Sequence, residues 1–360
     1  MIARSPTVKL AGYSLCLGMP LLAPLGVRLH VPWLAALVVF GLFPILGLVI
    51  GEDRSLPIAG LRRSWVIVKY LDFLPRIYGL VWIGALLWAA SYAARADVSI
   101  ATLFGLTLSV GIGSAVAICT AHELMHRRSK ADVLLARLMT GVCLYGHMAV
   151  EHFHHHATVG ELAAGATAPR GISVYRFAAT AFWRGLRNAW TVEIARQRRC
   201  GLGWWQNQVL HSYALALGLS LAFFAAWGSK GLAVFIGQAA FAVFVFEAIT
   251  YLHHYGLARA HDEEPGPQHA WAHHCWITNC LTFNNTFHSD HHLRPQVPYY
   301  ELHAMHGAPR LPASYFTMFC VALVPPLWRH LMDRRLDALA EAQCRSDGGV
   351  PEWMYVHRCR

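Results

Sequence analysis

The segment His122-Glu123-Leu124-Met125-His126 sets two imidazoles four residues apart. On a helix that spacing puts both on one face, one turn apart, within reach of a single metal ion. His152, His155 and His156, within Glu151-His152-Phe153-His154-His155-His156, repeat at i, i+3 and i+4. So do His288, His291 and His292, within His288-Ser289-Asp290-His291-His292. A further pair, His253-His254, closes the run Tyr251-Leu252-His253-His254-Tyr255-Gly256. Eight histidines at ligand spacing, plus one from the 253–254 pair, make nine. One four-coordinate zinc cannot use nine. Two metals with four or five nitrogens each can, and neutral imidazole suits iron, zinc, copper and nickel.

Metal-bound imidazoles need an acceptor on their other ring nitrogen. Glu123, Glu151, Glu247 and Asp290 are the candidate partners. Glu247 lies seven residues before His254, two turns up the same helix face, and a carboxylate inside an apolar run is costly unless partnered. His147, His269, His273 and His274 are further residues that could line the site. Two other chemistries compete. His122-Glu123-x-x-His126 fits the HExxH pattern of zinc proteases, with Glu123 as general base, but that leaves the other clusters without a role. A metal transporter or sensor would place its ligands near the bilayer midplane, whereas these sit at the ends of apolar runs.

The elements that must position these clusters are membrane helices. Of 360 residues, 56% are hydrophobic and 14% charged, against about 25% charged in soluble domains. The same balance excludes a disordered chain. Uncharged or nearly uncharged stretches at 10–27, 31–50, 77–94, 98–121, 208–228 and 231–252 are each long enough to span a bilayer. They pair into three hairpins with tips at 28–30, 95–97 and 228–231. Only Arg28, Arg95 and Lys230 of the 30 Lys and Arg residues lie at those tips, and the other 27 lie on the opposite side. By the positive-inside rule that side is cytoplasmic and holds both termini and every histidine cluster. No cleavable signal pattern opens the chain. The apolar stretches 133–150 and 313–327 are expected to lie at the interface or against the bundle. The predicted fold is therefore all-α: six transmembrane helices with a cytoplasmic histidine-rich cap. Residues 1–332 form one integral-membrane domain and 333–360 a cytoplasmic tail. The net charge of +10 belongs to cytoplasmic loops, and nothing supports nucleic-acid binding. Nine cysteines without a CxxC read as unpaired thiols in a reduced compartment.

The same motifs carry a family resemblance over nearly the whole chain. His122–Arg127, Tyr145-Gly146-His147, the HxxHH boxes, His253–Gly256 and His288–His292 resemble the integral-membrane fatty-acid desaturase and hydroxylase superfamily. Within it they are most similar to bacterial membrane alkane hydroxylases and xylene methyl-hydroxylases. Gly51-Glu52-Asp53, Leu311-Pro312 and Pro325-Pro326-Leu327-Trp328-Arg329 resemble that group too. The resemblance implies a six-helix bundle with two non-haem irons at the cytoplasmic helix ends, above a hydrophobic substrate channel. It implies O2 as co-substrate, a rubredoxin- or ferredoxin-type electron donor with its reductase, and the bacterial inner membrane as location. Carried over by motif, the ligands are His122, His126, His152, His155, His156, His254, His288, His291 and His292. No catalytic residue beyond the metal centre is implied. The chain departs from the alkane group in three places: its second box is the shorter HxxHH, His253 stands where that group has Glu, and Asn285-Thr286-Phe287 precedes the third box. The expected reaction is hydroxylation of a terminal methyl group of an alkane, alkyl-arene or fatty-acyl chain. Desaturation or oxidative decarboxylation to an alkene on the same site is the alternative.

Overall fold

A computed structural model describes residues 5–54 and 64–347. Among them the fold is all-helical, with only two isolated β-bridges, Glu52 to Cys275 and Ala272 to Arg310. Helix α1 (Pro6–Tyr13) runs through a 3-10 turn into α2 (Gly18–Arg28). After the turn at His30, α3 (Leu34–Ala36), a π-helical stretch and α4 (Phe43–Ile50) bring the chain back. Then follow α5 (Trp65–Ala93), α6 (Ile100–Met125), α7 (Lys130–Val142) and α8 (Met148–Thr158). Next come α9 (Val174–Cys200) and α10 (Gln208–His254). Short helices α11 (Trp276–Leu281) and α12 (His288–Leu293) precede α13 (Tyr315–Ala322) and α14 (Pro325–Asp347). The starts follow local chemistry. The hydroxyls of Ser99, Ser129, Ser173 and Ser314 and the amide oxygen of Asn207 accept first-turn backbone N–H groups of α6, α7, α9, α13 and α10.

Among the described residues four helices are long and apolar enough to cross a membrane: Thr7–Arg28, Trp65–Ala93, Ile100–Met125 and Gln208–His254; Leu34–Ile50 is apolar but shorter. A straight α10 of 47 residues would be about 70 Å long, twice a hydrocarbon core of about 30 Å. It is not straight. Gly228 has φ 62° and ψ −159°, a conformation essentially confined to glycine. Phe223 stacks on Phe235 with ring centroids 4.3 Å apart, whereas twelve residues of helix would separate them by about 18 Å. The chain therefore folds back at Gly228, where the sequence predicts its third hairpin tip. Lys230 then donates to the carbonyls of Arg95 (3.0 Å) and Val98 (3.3 Å), joining the second and third tips.

Helix α6 is the axis of the bundle. Its small residues Gly105, Ser109, Gly111, Gly113, Ser114 and Ala117 are buried and let neighbouring helices approach closely. Tyr78 on α5 donates to the Gly113 carbonyl (2.6 Å) and Trp82 to the Ser114 hydroxyl (2.9 Å). Stretches 133–150 and 313–327 hold α7 and α13, both packed on this core through Ala136, Met139, Met318 and Phe319. The boundary expected at 332/333 falls inside α14, whose buried stripe Trp328, Met332, Leu336 and Ala340 crosses it; 348–360 lie outside the described residues. The seven described cysteines, Cys16, Cys119, Cys143, Cys200, Cys275, Cys280 and Cys320, are free thiols.

Candidate metal centre

The last turn of α6, the helix α8, the end of α10 and the helix α12 converge at one end of the bundle. Their imidazoles form two nests. His122, His126, His152, His156 and His291 bring five ring nitrogens within 4.8 Å of one another, and His155, His254, His288 and His292 bring four. These are the nine residues singled out by motif. Within the nests the Nε2 atoms face each other: His122 to His291 at 2.7 Å, His126 to His152 at 2.8 Å, His152 to His156 at 3.0 Å, and His254 to His288 at 3.1 Å. A first-row ion holds imidazole nitrogens at about 2.0–2.1 Å, so two at right angles sit about 3 Å apart. The donor set and its spacing fit a metal in each nest.

The nests interleave. Helix α8 gives His152 and His156 to the first and His155 to the second, while α12 gives His291 to the first and His288 and His292 to the second. The His156 and His292 rings, one from each nest, have centroids 4.6 Å apart. Burial, reinforced by neighbouring rings, holds the imidazoles of His152, His155, His288, His291 and His292 well below the usual histidine range; burial takes His156 to about 3. These rings are therefore neutral near pH 7, with a lone pair available for a metal.

The outer nitrogens are held unevenly. His254 Nδ1 donates to the His269 carbonyl (2.9 Å), which fixes its tautomer and leaves Nε2 as the ligand atom. Nδ1 of His126, His155, His156, His288 and His292 is buried without a hydrogen-bond partner. The carboxylates named from sequence act around the nests in different ways. Asp290, fully buried, receives two hydrogen bonds from Arg294 (2.6 and 2.5 Å) and one from the His303 backbone N–H (2.8 Å). It thereby ties α12 to the following loop. Glu123 pairs with Arg127 (3.3 Å), whose guanidinium also reaches the Asp72 carbonyl (2.7 Å). Glu247 accepts from Tyr145 (2.5 Å). Burial pushes the Glu151 carboxyl up to about 7. Glu151 and Glu247 face the same cavity as His122, His155 and His288.

Of the other histidines, His147 bonds Tyr213 (2.8 Å), His273 pairs with Glu52 (3.3 Å), and His274 stacks on Phe287. Sequence reasoning missed Arg294 and His303, and it named Tyr145 only within a motif, without its bond to Glu247. The i, i+4 spacing of Asp290 and Arg294 was the one further signal.

Two cavities adjoin the centre. A polar one of about 40 Å³ is lined by His122, His152, His155 and His288 of the nests with Glu151, Glu247, His253 and Asn285. An apolar one of about 60 Å³ is lined by Val39, Phe40, Val116, Val245, Phe316 and Phe319, among others. Ile249 lines both.

A membrane-embedded helical bundle whose histidine boxes pool into two nitrogen nests defines a class, and comparison with known proteins gives it a name. The family described as fatty acid desaturase matches residues 98–322, more than half of the chain, and the chain belongs to that family. Among its relatives, alkane 1-monooxygenase 1 of Pseudomonas aeruginosa is 34% identical over 319 residues, 85% of this chain and 84% of the relative. Alkane 1-monooxygenase 2 of Alcanivorax borkumensis is 30% identical over 322 residues, 86% and 84% of the two chains. The xylene/toluene monooxygenase hydroxylase component XylM of Pseudomonas putida is 32% identical over 214 residues, 58% and 57%. The protein is an integral membrane enzyme.

Proposed function

We propose that this chain is a membrane-bound non-haem di-iron monooxygenase that hydroxylates the terminal methyl group of an apolar substrate: an alkane, an alkyl-arene or a fatty-acyl chain. The observation that carries this reading is the division of nine histidines into nests of five and four nitrogens. His122, His126, His152, His156 and His291 would hold one iron, and His155, His254, His288 and His292 the other. Two irons held there would supply the reductive activation of O2, with water as the second product. The balance is one methyl group, one O2, two electrons and two protons giving one primary alcohol and one water.

The chain's own residues set the rest. The apolar cavity receives the hydrocarbon, and Ile249 marks where its end meets the polar cavity. Buried aromatic and aliphatic walls exclude bulk water from the nests. Electrons come from a rubredoxin- or ferredoxin-type partner with its reductase. The reading takes six spans, counting the shorter Leu34–Ile50 and both arms of α10 as crossings beside Thr7–Arg28, Trp65–Ala93 and Ile100–Met125. The lopsided distribution of Lys and Arg favours a cytoplasmic metal centre and cytoplasmic termini in a bacterial inner membrane. An HExxH protease would employ two of the nine histidines and leave seven without a role.

The test is product analysis of membranes supplied with reductant, 18O2 and a panel of alkanes, methyl-arenes and fatty acids. A primary alcohol carrying one labelled oxygen supports hydroxylation. An alkene without label moves the protein to desaturation or decarboxylation, and peptide cleavage without O2 consumption overturns the oxygenase altogether.

A further inference from the structure

Away from the metal centre, α9 carries a surface with no role in the proposed chemistry. Trp183 and Trp190 are 65% and 43% exposed and lie seven residues apart, two turns along one face, with Arg187 between them. Past the Gly201 cap, Trp204 and Trp205 are also exposed, at 73% and 62%. Together with Leu210 and Tyr213 of α10, the side chains of Trp183, Arg187 and Trp190 line an open groove of about 740 Å³. Helix α9 holds six arginines (Arg176, Arg184, Arg187, Arg196, Arg198, Arg199) and one acid, Glu193. Glu193 is buried and already taken by Arg196 (2.6 Å) and the Gln208 backbone N–H (2.8 Å). The Arg187 guanidinium has no ion pair or hydrogen bond among the described residues.

The groove's location decides what fits it. One wall is the first turns of α10, at the point where that membrane-crossing helix begins. Tyr213 on this wall bonds His147, which fixes the groove on the metal-centre side of the bilayer. Tryptophan and tyrosine gather at the level of lipid headgroups, and arginine reaches from apolar surface to phosphate. An unpaired guanidinium between two exposed indoles, on a helix with an excess of positive charge, complements an anionic headgroup over acyl chains.

We propose that the groove between α9 and the start of α10 binds an anionic phospholipid, with the phosphate on Arg187 and the chains against Trp183, Trp190 and Leu210. This rests on the chain's being an integral membrane protein and is independent of the reaction it catalyses.

The test uses the full chain in nanodiscs whose phosphatidylcholine is partly replaced by dibrominated phosphatidylglycerol or dibrominated phosphatidylcholine at equal mole fraction. Tryptophan quenching is read for the wild type, a Trp183→Phe/Trp190→Phe variant, Arg187→Gln and Arg187→Lys. Brominated phosphatidylglycerol is expected to quench more than brominated phosphatidylcholine. The excess should fall at least two-fold in the double Phe variant and about three-fold in Arg187→Gln, and persist in Arg187→Lys, which also shows that a substitution there folds. Equal quenching by the two lipids overturns the proposal, as does an excess untouched by Arg187→Gln. If Arg187→Gln leaves lipid preference intact but raises the KM for an acidic electron donor, the surface docks the donor and the lipid site is refuted.

Discussion

Asp290→Asn should weaken metal binding at both nests together. Asp290 is fully buried and joins α12 to its surroundings through three hydrogen bonds, two from Arg294 and one from the His303 backbone N–H. Asparagine keeps the shape and one acceptor oxygen but loses the charge and the paired acceptance of the guanidinium. A hydrogen bond to a buried charge is worth about 1.5–3 kcal/mol. The Arg294 side chain is 41% exposed, so its pair is discounted for screening, leaving about 2 kcal/mol for the change. At 1.4 kcal/mol per decade that is about 30-fold, within the roughly 10–100-fold found when outer partners of metal ligands are removed. Because α12 supplies His291 to one nest and His288 and His292 to the other, both irons should be affected. The assay is iron retained per chain in competition with a graded series of chelator concentrations. Retention equal to the wild type, or loss from one position with the other untouched, would refute the idea that this carboxylate positions α12.

Other outcomes follow from single sites. Burial pulls the Glu52 carboxyl up, but hydrogen bonds from Arg310 and Arg54 and the charges of His273 and Arg310 outweigh it and hold it at about 2. Its stabilising contribution is therefore complete above the unfolded value of about 4.3 and is lost as pH falls toward 2; acid melts of detergent-solubilised protein should show a shallower decline in that window for Glu52→Gln. Gly256 has φ +73° and faces the Leu336 side chain, so Gly256→Ala should cost about 1–2 kcal/mol, and adding Leu336→Ala should relieve the crowding but not the backbone strain. Thermal inactivation midpoints of the two variants check this. Val116→Trp fills the apolar cavity and should lower turnover of long substrates relative to short ones, read as a shift in the product ratio from a mixed-chain-length panel.

The sequence made the nine histidines and the apolar helices legible, because ligand spacing and hydropathy are both local properties. It did not reveal how the nests divide. The i, i+3, i+4 boxes read as single faces, yet each is split. At about 100° per residue, positions i and i+4 are about 40° apart, whereas i+3 swings about 60° to the other side. His152 and His156 therefore meet one nest and His155 the other, and α12 repeats the split with His288 and His292 against His291. Also illegible were contacts made by folding rather than by spacing, such as the His269 carbonyl on His254 and Tyr145 on Glu247. The return of α10 was predictable from Gly228-Ser229-Lys230-Gly231, although one uninterrupted apolar run would have looked much the same by hydropathy alone. Around residue 333 the charged residues mask an apolar spacing: Met332, Leu336 and Ala340 form a buried stripe at helical spacing along α14.

The proposal of two irons is tested most directly by metal analysis with 57Fe Mössbauer spectroscopy on protein purified from 57Fe-grown cells. Two irons per chain are predicted, in two distinguishable environments for the five- and four-nitrogen nests, with His155→Ala depleting one environment and His126→Ala the other. One tightly held zinc per chain, indifferent to replacement of His291, would contradict the assignment.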